Sequence, residues 1–237
     1  MATMSNATKG NMPFRDAVRA HTSLLAAAEK KALIWIANRL PRWVTSDQLT
    51  ALGLFAMLMV GAGYWFARVD RSGLLLAIFW LAVNWFGDSL DGTLARVRNQ
   101  QRPKFGFYVD HIIDCFGALF VLGGLGLSGL MSPGIAAGLL VAYLLLSIEI
   151  YLATYTVGRF HLSFWKFGPT ELRILLAIGN LRVFFSPTAH LFGASYLLFD
   201  LGGAIAIVGI AVAVLVSVIR HTRELYRLEP MNRAQEF

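Results

Sequence analysis

The chain alternates between long apolar runs and short polar breaks. "LLLAIFWLAVNWF" (74–86), "GALFVLGGLGLSGL" (117–130), "GIAAGLLVAYLLLSI" (134–148) and "GGAIAIVGIAVAVLVSVI" (202–219) approach or reach the roughly 20 apolar residues that cross a bilayer. Between them stand "VDRSG", "RNQQRPK", "MSPG" and "GRFHLSFWKFGP", which carry the glycines, prolines and charges that end helices. The pattern predicts six spanning helices, over about 45–68, 73–97, 105–129, 134–157, 170–187 and 195–221. Thr45, Ser46 and Asp47 supply capping groups for the first of them.

Ahead of these, "FRDAVRAHTSLLAAAEKKALIWIANRL" (14–40) mixes basic and apolar groups at helical spacing. Lys30, Lys31 and Arg39 fall where they can face water, while Leu24, Leu25, Leu33 and Ile36 face lipid or protein, as in a helix lying in the membrane interface. The expected fold is an all-α integral membrane protein. It divides into an N-terminal arm with an amphipathic interfacial helix (1–43) and a six-helix transmembrane domain with a short basic tail (44–237).

Composition agrees: 57% of the 237 residues are hydrophobic and 15% are charged, a balance that excludes an ordinary soluble domain. The net charge of +7 does not mark a nucleic-acid partner, because Lys and Arg gather in the N-terminal arm, in 96–104, in 159–173 and in 220–233, each beside a membrane segment. With an even number of crossings, that distribution predicts both termini on the cytoplasmic side. Cys115 is the single cysteine, so neither an intramolecular disulfide nor a cysteine zinc site is expected.

The chemistry concentrates in "FGDSLDGTLARVRNQQRPKFGFYVDHIIDC" (86–115). Asp88 and Asp91 are three apart and Asp110 and Asp114 four apart, so each pair projects from one helix face, and the two pairs flank one polar loop. If those two helices pack as an antiparallel hairpin, four carboxylates share one pocket. Clustered carboxylates in a membrane repel one another, and a divalent cation resolves the conflict; an all-oxygen donor set suits Mg²⁺, Mn²⁺ or Ca²⁺. Four carboxylates exceed what one magnesium takes, which makes a two-metal site plausible. Gly92 and Ala95 leave a shallow groove on nearly the same side, Arg96 adds a cation for phosphate, and Gly106 clears the facing helix. Metals, small residues and an arginine describe a site for a nucleotide diphosphate.

These residues resemble the signature of the CDP-alcohol phosphotransferases. All eight of its positions are present: Asp88, Asp91, Gly92, Ala95, Arg96, Gly106, Asp110 and Asp114. The resemblance implies a six-helix, often homodimeric enzyme of phospholipid synthesis that transfers a substituted phosphate from a CDP-linked donor to an alcohol and releases CMP. It implies two divalent cations, Mg²⁺ or Mn²⁺, held by Asp88, Asp91, Asp110 and Asp114. It implies a CDP site lined by Asp88, Gly92, Ala95, Arg96 and Gly106, and Asp114 as general base, in an active site facing the cytoplasm. One departure is a loop of nine residues between Arg96 and Gly106, one more than the usual pattern.

The substrates divide into a favoured expectation, given first, and an alternative. "TYTVGRFHLSFWKFGPTELRI" (154–174) is similar to a segment of choline and ethanolamine phosphotransferases, implying CDP-ethanolamine or CDP-choline and a diacylglycerol-like acceptor, with Glu149 and Glu171 as candidate head-group carboxylates. Arg173 and Arg182 point instead to a phosphorylated acceptor such as glycerol phosphate or inositol phosphate, with CDP-diacylglycerol as the lipid donor. A cation transporter is the alternative of another class; it predicts acids spread in depth over several helices, whereas here they gather at one end.

Overall fold

A computed structural model describes residues 26–157, 168–191 and 193–229. The start of the expected interfacial helix, residues 158–167 after the fourth crossing, and the end of the basic tail lie outside the described residues. The elements run α1 (Ala26–Ala37), α2 (Ser46–Phe66), α3 (Ser72–Val97), α4 (Pro103–Ser128), α5 (Pro133–Val157), α6 (Pro169–Phe185), β1 (Thr188–Leu191), β2 (Ala194–Leu197) and α7 (Leu198–Leu228).

Among the described residues, α2, α3, α4, α5 and α7 are long and apolar enough to cross a membrane, five helices where the sequence pattern predicts six. The remaining candidate, α6, has 17 residues. At 1.5 Å per residue it is about 25 Å long, short of a hydrocarbon core of about 30 Å. Pro169 fixes its start and Pro187 prevents its extension. The last crossing begins at Leu198 rather than near 195, because 188–197 form an antiparallel hairpin in which Leu191 faces Ala194 and Gly193 takes φ +81° at the turn.

Two glycine contacts draw α2, α3 and α4 together. A Cβ on Gly87 of α3 would stand 2.7 Å from the Leu49 carbonyl of α2, and one on Gly124 of α4 would stand 2.2 Å from the Gly61 carbonyl. Backbone therefore meets backbone, as small residues allow in membrane helices. α3 and α4 each pack along α2 and scarcely touch each other. The hairpin expected of them is thus replaced by a sandwich with α2 in the middle. α5 packs against α4, and α7 against α5.

α6 runs antiparallel to α3. Arg71 Nη1 donates to the Phe184 carbonyl near one end (3.3 Å), and Arg173 reaches Asn84 and Asp88 near the other. The first turn of α6 accordingly lies level with Asp88, and α3 runs on past it for nine residues, about 14 Å. α1 lies along that extension, with Leu33 and Ala37 buried in one cluster with Leu90 and Leu94. Lys30, Lys31 and Arg39 are exposed. The turn after α1 is fixed by Arg98, which donates to the carbonyls of Val44 (2.5 Å), Leu40 (3.0 Å) and Pro41 (2.9 Å).

Candidate active site

A narrow cleft opens between α2, α3, α4 and α6. Asp88 and Asp91 reach it from α3, Asp110 and Asp114 from α4, and Arg173 from α6, while Thr50, Gly53, Leu54 and Met57 of α2 form its floor. The two acidic pairs thus face one space from either side of α2. Among the described residues no three carboxylates, histidines or cysteines are already drawn together as a metal cage.

Each carboxylate of α3 is held by a specific partner. A capping box at Thr45 and Gln48 starts α2 and sets the rotation of its first turns. Thr50 Oγ1 then donates to Asp91 Oδ2 (2.6 Å), and Ser46 Oγ to the Asp91 carbonyl (2.9 Å). The other Asp91 oxygen accepts from the Gly92 backbone. Asp88 Oδ2 accepts from Arg173 Nη2 at 2.5 Å. Asn84, one turn before Asp88, is buried; its Nδ2 donates to the Gly53 carbonyl (3.0 Å) and its Oδ1 accepts from Arg173 Nε (2.8 Å). One amide thereby ties α2, α3 and α6 together. Arg173 Nη1 is buried and has no hydrogen-bond partner among the described residues.

The signature residues beside the carboxylates lie toward the C-terminal end of α3. A Cβ on Gly92 would stand 3.4 Å from Arg96 Nη1, so the glycine gives the guanidinium room to lie back over the helix. Arg96 Nη2 donates to Thr93 Oγ1 (3.1 Å). Ala95 is half-buried on the same turn. Gly106 is exposed and has nothing within 4 Å of its ideal Cβ. The loop with the extra residue is held by Arg98, by an ion pair between Arg102 and Asp47, and by Asn99 at φ 55°. On α4, Tyr151 Oη of α5 donates to the His111 carbonyl (3.2 Å), and the His111 ring packs between Phe107 and Tyr151.

The remaining candidates do not converge on the cleft. Glu149 Oε1 of α5 meets His221 Nδ1 of α7 at 2.6 Å, with the Glu149 side chain 9% exposed. Glu171 Oε2 accepts from the Gly168 backbone at the start of α6 (3.0 Å). Arg182 is exposed near the other end of α6, where Nη1 donates to the Ser186 carbonyl (2.9 Å). Arg173 is thus the one acceptor or head-group candidate of the four from the sequence that lines the cleft. Thr50 and Asn84 are the site residues that sequence reasoning passed over. The available signal was a lone amide four residues before Asp88 in an otherwise apolar run.

Comparison with known proteins supplies the biochemical context. A family model described as CDP-alcohol phosphatidyltransferase matches residues 40–219. The chain is 30% identical over 151 residues to an archaetidylinositol phosphate synthase of Pyrococcus horikoshii, covering 64% of this chain and 71% of the relative. It is 33% identical over 116 residues to an uncharacterized protein of Aquifex aeolicus, covering 49% and 55% respectively.

Proposed function

The chain belongs to the CDP-alcohol phosphatidyltransferase family, and on that premise we propose that its cleft transfers a phosphatidyl-type group from a CDP-linked lipid to the hydroxyl of a phosphorylated polyol. Membership makes it a transferase of substituted phosphate groups in phospholipid synthesis. The choice of acceptor is carried by one observation. Arg173 stands among the aspartates with a buried, partnerless Nη1, and such a nitrogen in an apolar bundle calls for an anion.

Asn84 anchors Nε and Nη1 is without a partner, so once a cation takes Asp88 from Nη2 the two can bind two oxygens of one phosphate in the fork geometry that suits arginine. The Pyrococcus relative is named for a phosphorylated inositol lipid, which is the same class of product. An aminoalcohol head group finds less support. Glu149 is engaged by His221 away from the cleft, and Glu171 gives one oxygen to the start of its own helix.

The donor set fits divalent cations. Four carboxylates line one cleft, every donor is a hard oxygen, and the Arg173 guanidinium already rests on Asp88 as a cation would. Asp88, Asp91, Asp110 and Asp114 would hold two Mg²⁺ or Mn²⁺ ions, which when bound neutralise the donor diphosphate and make its phosphorus electrophilic. Thr50 fixes the rotamer of Asp91, and Asn84 keeps Arg173 in place once Asp88 is taken by a metal. Gly92, Ala95 and Arg96 receive the cytidine side of the donor, with Gly106 opposite. Asp114 takes the proton of the acceptor hydroxyl. The new O–P bond forms as the bond to CMP breaks, and CMP leaves as its anion.

The test is product identification by mass spectrometry, using purified protein in nanodiscs with Mg²⁺ or Mn²⁺. CDP-diacylglycerol is offered with inositol phosphate or glycerol phosphate, and CDP-ethanolamine or CDP-choline with diacylglycerol in parallel. Product from the first pairings alone supports the proposal. Product from the second pairings alone overturns the choice of acceptor, and CMP released from no donor overturns the enzymatic reading of the cleft.

A further inference from the structure

Glu29 on α1 lies outside the cleft, and no step above uses it. Its Oε1 nevertheless accepts two hydrogen bonds that join the elements carrying the site, from Trp85 Nε1 of α3 (2.7 Å) and from Thr170 Oγ1 of α6 (2.7 Å). Trp85 stands three residues before Asp88, and Thr170 three before Arg173. Each donor is therefore about one helical turn from a residue of the cleft, on a neighbouring part of the same helix surface. A carboxylate among Trp85, Leu33 and Ile36 is costly unless its hydrogen bonds are satisfied. The start of α6 also directs its positive end toward the Glu29 charge.

The first turn of α6 needs such a tie. The helix begins level with Asp88, and its polar contacts with α3 there run through Arg173 to Asn84 and Asp88. When a cation takes Asp88, one of those contacts is lost. The Thr170–Glu29–Trp85 bridge is independent of the metal-binding carboxylates and remains.

We propose that Glu29 is a positioning residue for the transfer. By holding the first turn of α6 to α3 through Thr170 and Trp85, it sets where Arg173 stands relative to the carboxylates and so where the acceptor phosphate binds. This rests on the acceptor role of Arg173 argued above. The bridge works by accepting hydrogen bonds, so a neutral side chain that keeps an acceptor oxygen at the same reach should preserve it.

The experiment uses the full chain in nanodiscs, with steady-state kinetics in each substrate and hydrogen exchange followed by mass spectrometry. Glu29→Ala is expected to raise the acceptor KM about 10-fold or more while the donor KM stays within about 2-fold, since a displaced Arg173 loses a charge-assisted hydrogen bond to the acceptor phosphate. Glu29→Gln keeps the acceptor oxygen and is expected to restore the acceptor KM to within about 3-fold of wild type. Thr170→Val removes one donor without touching α1; it should shift the acceptor KM in the same direction, and combined with Glu29→Ala it should add nothing. Amides at the start of α6 should exchange faster in Glu29→Ala and Thr170→Val, and at the wild-type rate in Glu29→Gln.

Four results would each overturn the inference: wild-type acceptor KM and α6 exchange in Glu29→Ala, equal loss for both substrates, Glu29→Gln as impaired as Glu29→Ala, or additive effects in the double variant. If the wild type turns over only an unphosphorylated alcohol, the acceptor reading falls. The exchange rates in α6 then decide the positioning claim alone.

Discussion

α6 and α7 read alike in the sequence, as the fifth and sixth of a set of crossings, and the structure sets them far apart. α6 has 17 residues, begins level with Asp88, and is tied to its neighbours by polar bonds through Thr170, Arg173 and the Phe184 carbonyl. α7 has 31 residues and a mean hydropathy of 2.7 in its most apolar window; Ile205, Val208, Val212, Leu215 and Val216 are exposed along it. Among its polar ties are the Asp200–Ser132 contact near one end and Glu149–His221 near the other. The short helix brings the Arg173 guanidinium into the cleft and is tied to its neighbours by hydrogen bonds. The long one turns much of its apolar surface outward and packs against α5.

Substitutions test that contrast. The largest effect belongs to the cleft that α6 serves: Asp114→Asn should lower kcat by about 100- to 10,000-fold, the range of a lost general base, with donor binding retained. Equilibrium binding of a CDP-lipid beside single-turnover rates would check this; wild-type turnover would remove Asp114 from the role. Arg173→Ala should cost about 10- to 100-fold in kcat/KM for a phosphorylated acceptor, in line with a lost charge-assisted hydrogen bond. Arg173→Lys should recover part of that loss, because a point charge cannot reproduce the fork.

His221→Ala on α7 should behave in the opposite manner. It removes the partner of the buried Glu149 Oε1 and should cost about 1–3 kcal/mol of stability, read as a lower unfolding midpoint, while the acceptor KM of the folded fraction is unchanged. A shifted acceptor KM would bring α7 into the site and erase the contrast. Arg182→Ala, at the other end of α6 from the cleft, should have the smallest effect, with kcat/KM within about 2-fold and stability within about 0.5 kcal/mol.

Much of the site was legible in the sequence because helical periodicity is a local property. Spacings of three and four place Asp88 with Asp91 and Asp110 with Asp114 whatever surrounds them, and the apolar runs dictate a helical membrane protein. What separates the two pairs was not legible. The polar loop joining α3 to α4 suggested a hairpin, yet the Gly87–Gly53 and Gly61–Gly124 approaches draw each helix onto α2. Such glycines read equally well as packing against any neighbour. Thr50 was hidden for the same reason, since its role depends on the rotation of α2.

Glu149 and Arg182 show what periodicity cannot place, since neither lines the cleft. An intramembrane acid and a helix-borne arginine are reasonable functional candidates, but only tertiary contacts reveal that His221 engages one oxygen of the first and that the second sits at the far end of a short helix. The hairpin at 188–197 was missed because β1 and β2 have four residues each, too few for a strand period to emerge, and the apolar "SYLL" merges with the run that follows.

The central claim is that carboxylates on α3 and α4, separated by α2, act on the same bound cations. Mn²⁺ binding in the presence of CDP, followed by electron paramagnetic resonance on the wild type, Asp91→Asn and Asp110→Asn, addresses it most directly. The wild type should bind two Mn²⁺ ions close enough for their spins to couple, and either substitution, from opposite sides of α2, should abolish that coupling. Unaltered coupled binding in Asp110→Asn would show that α4 contributes nothing to the cation site, and would contradict the account.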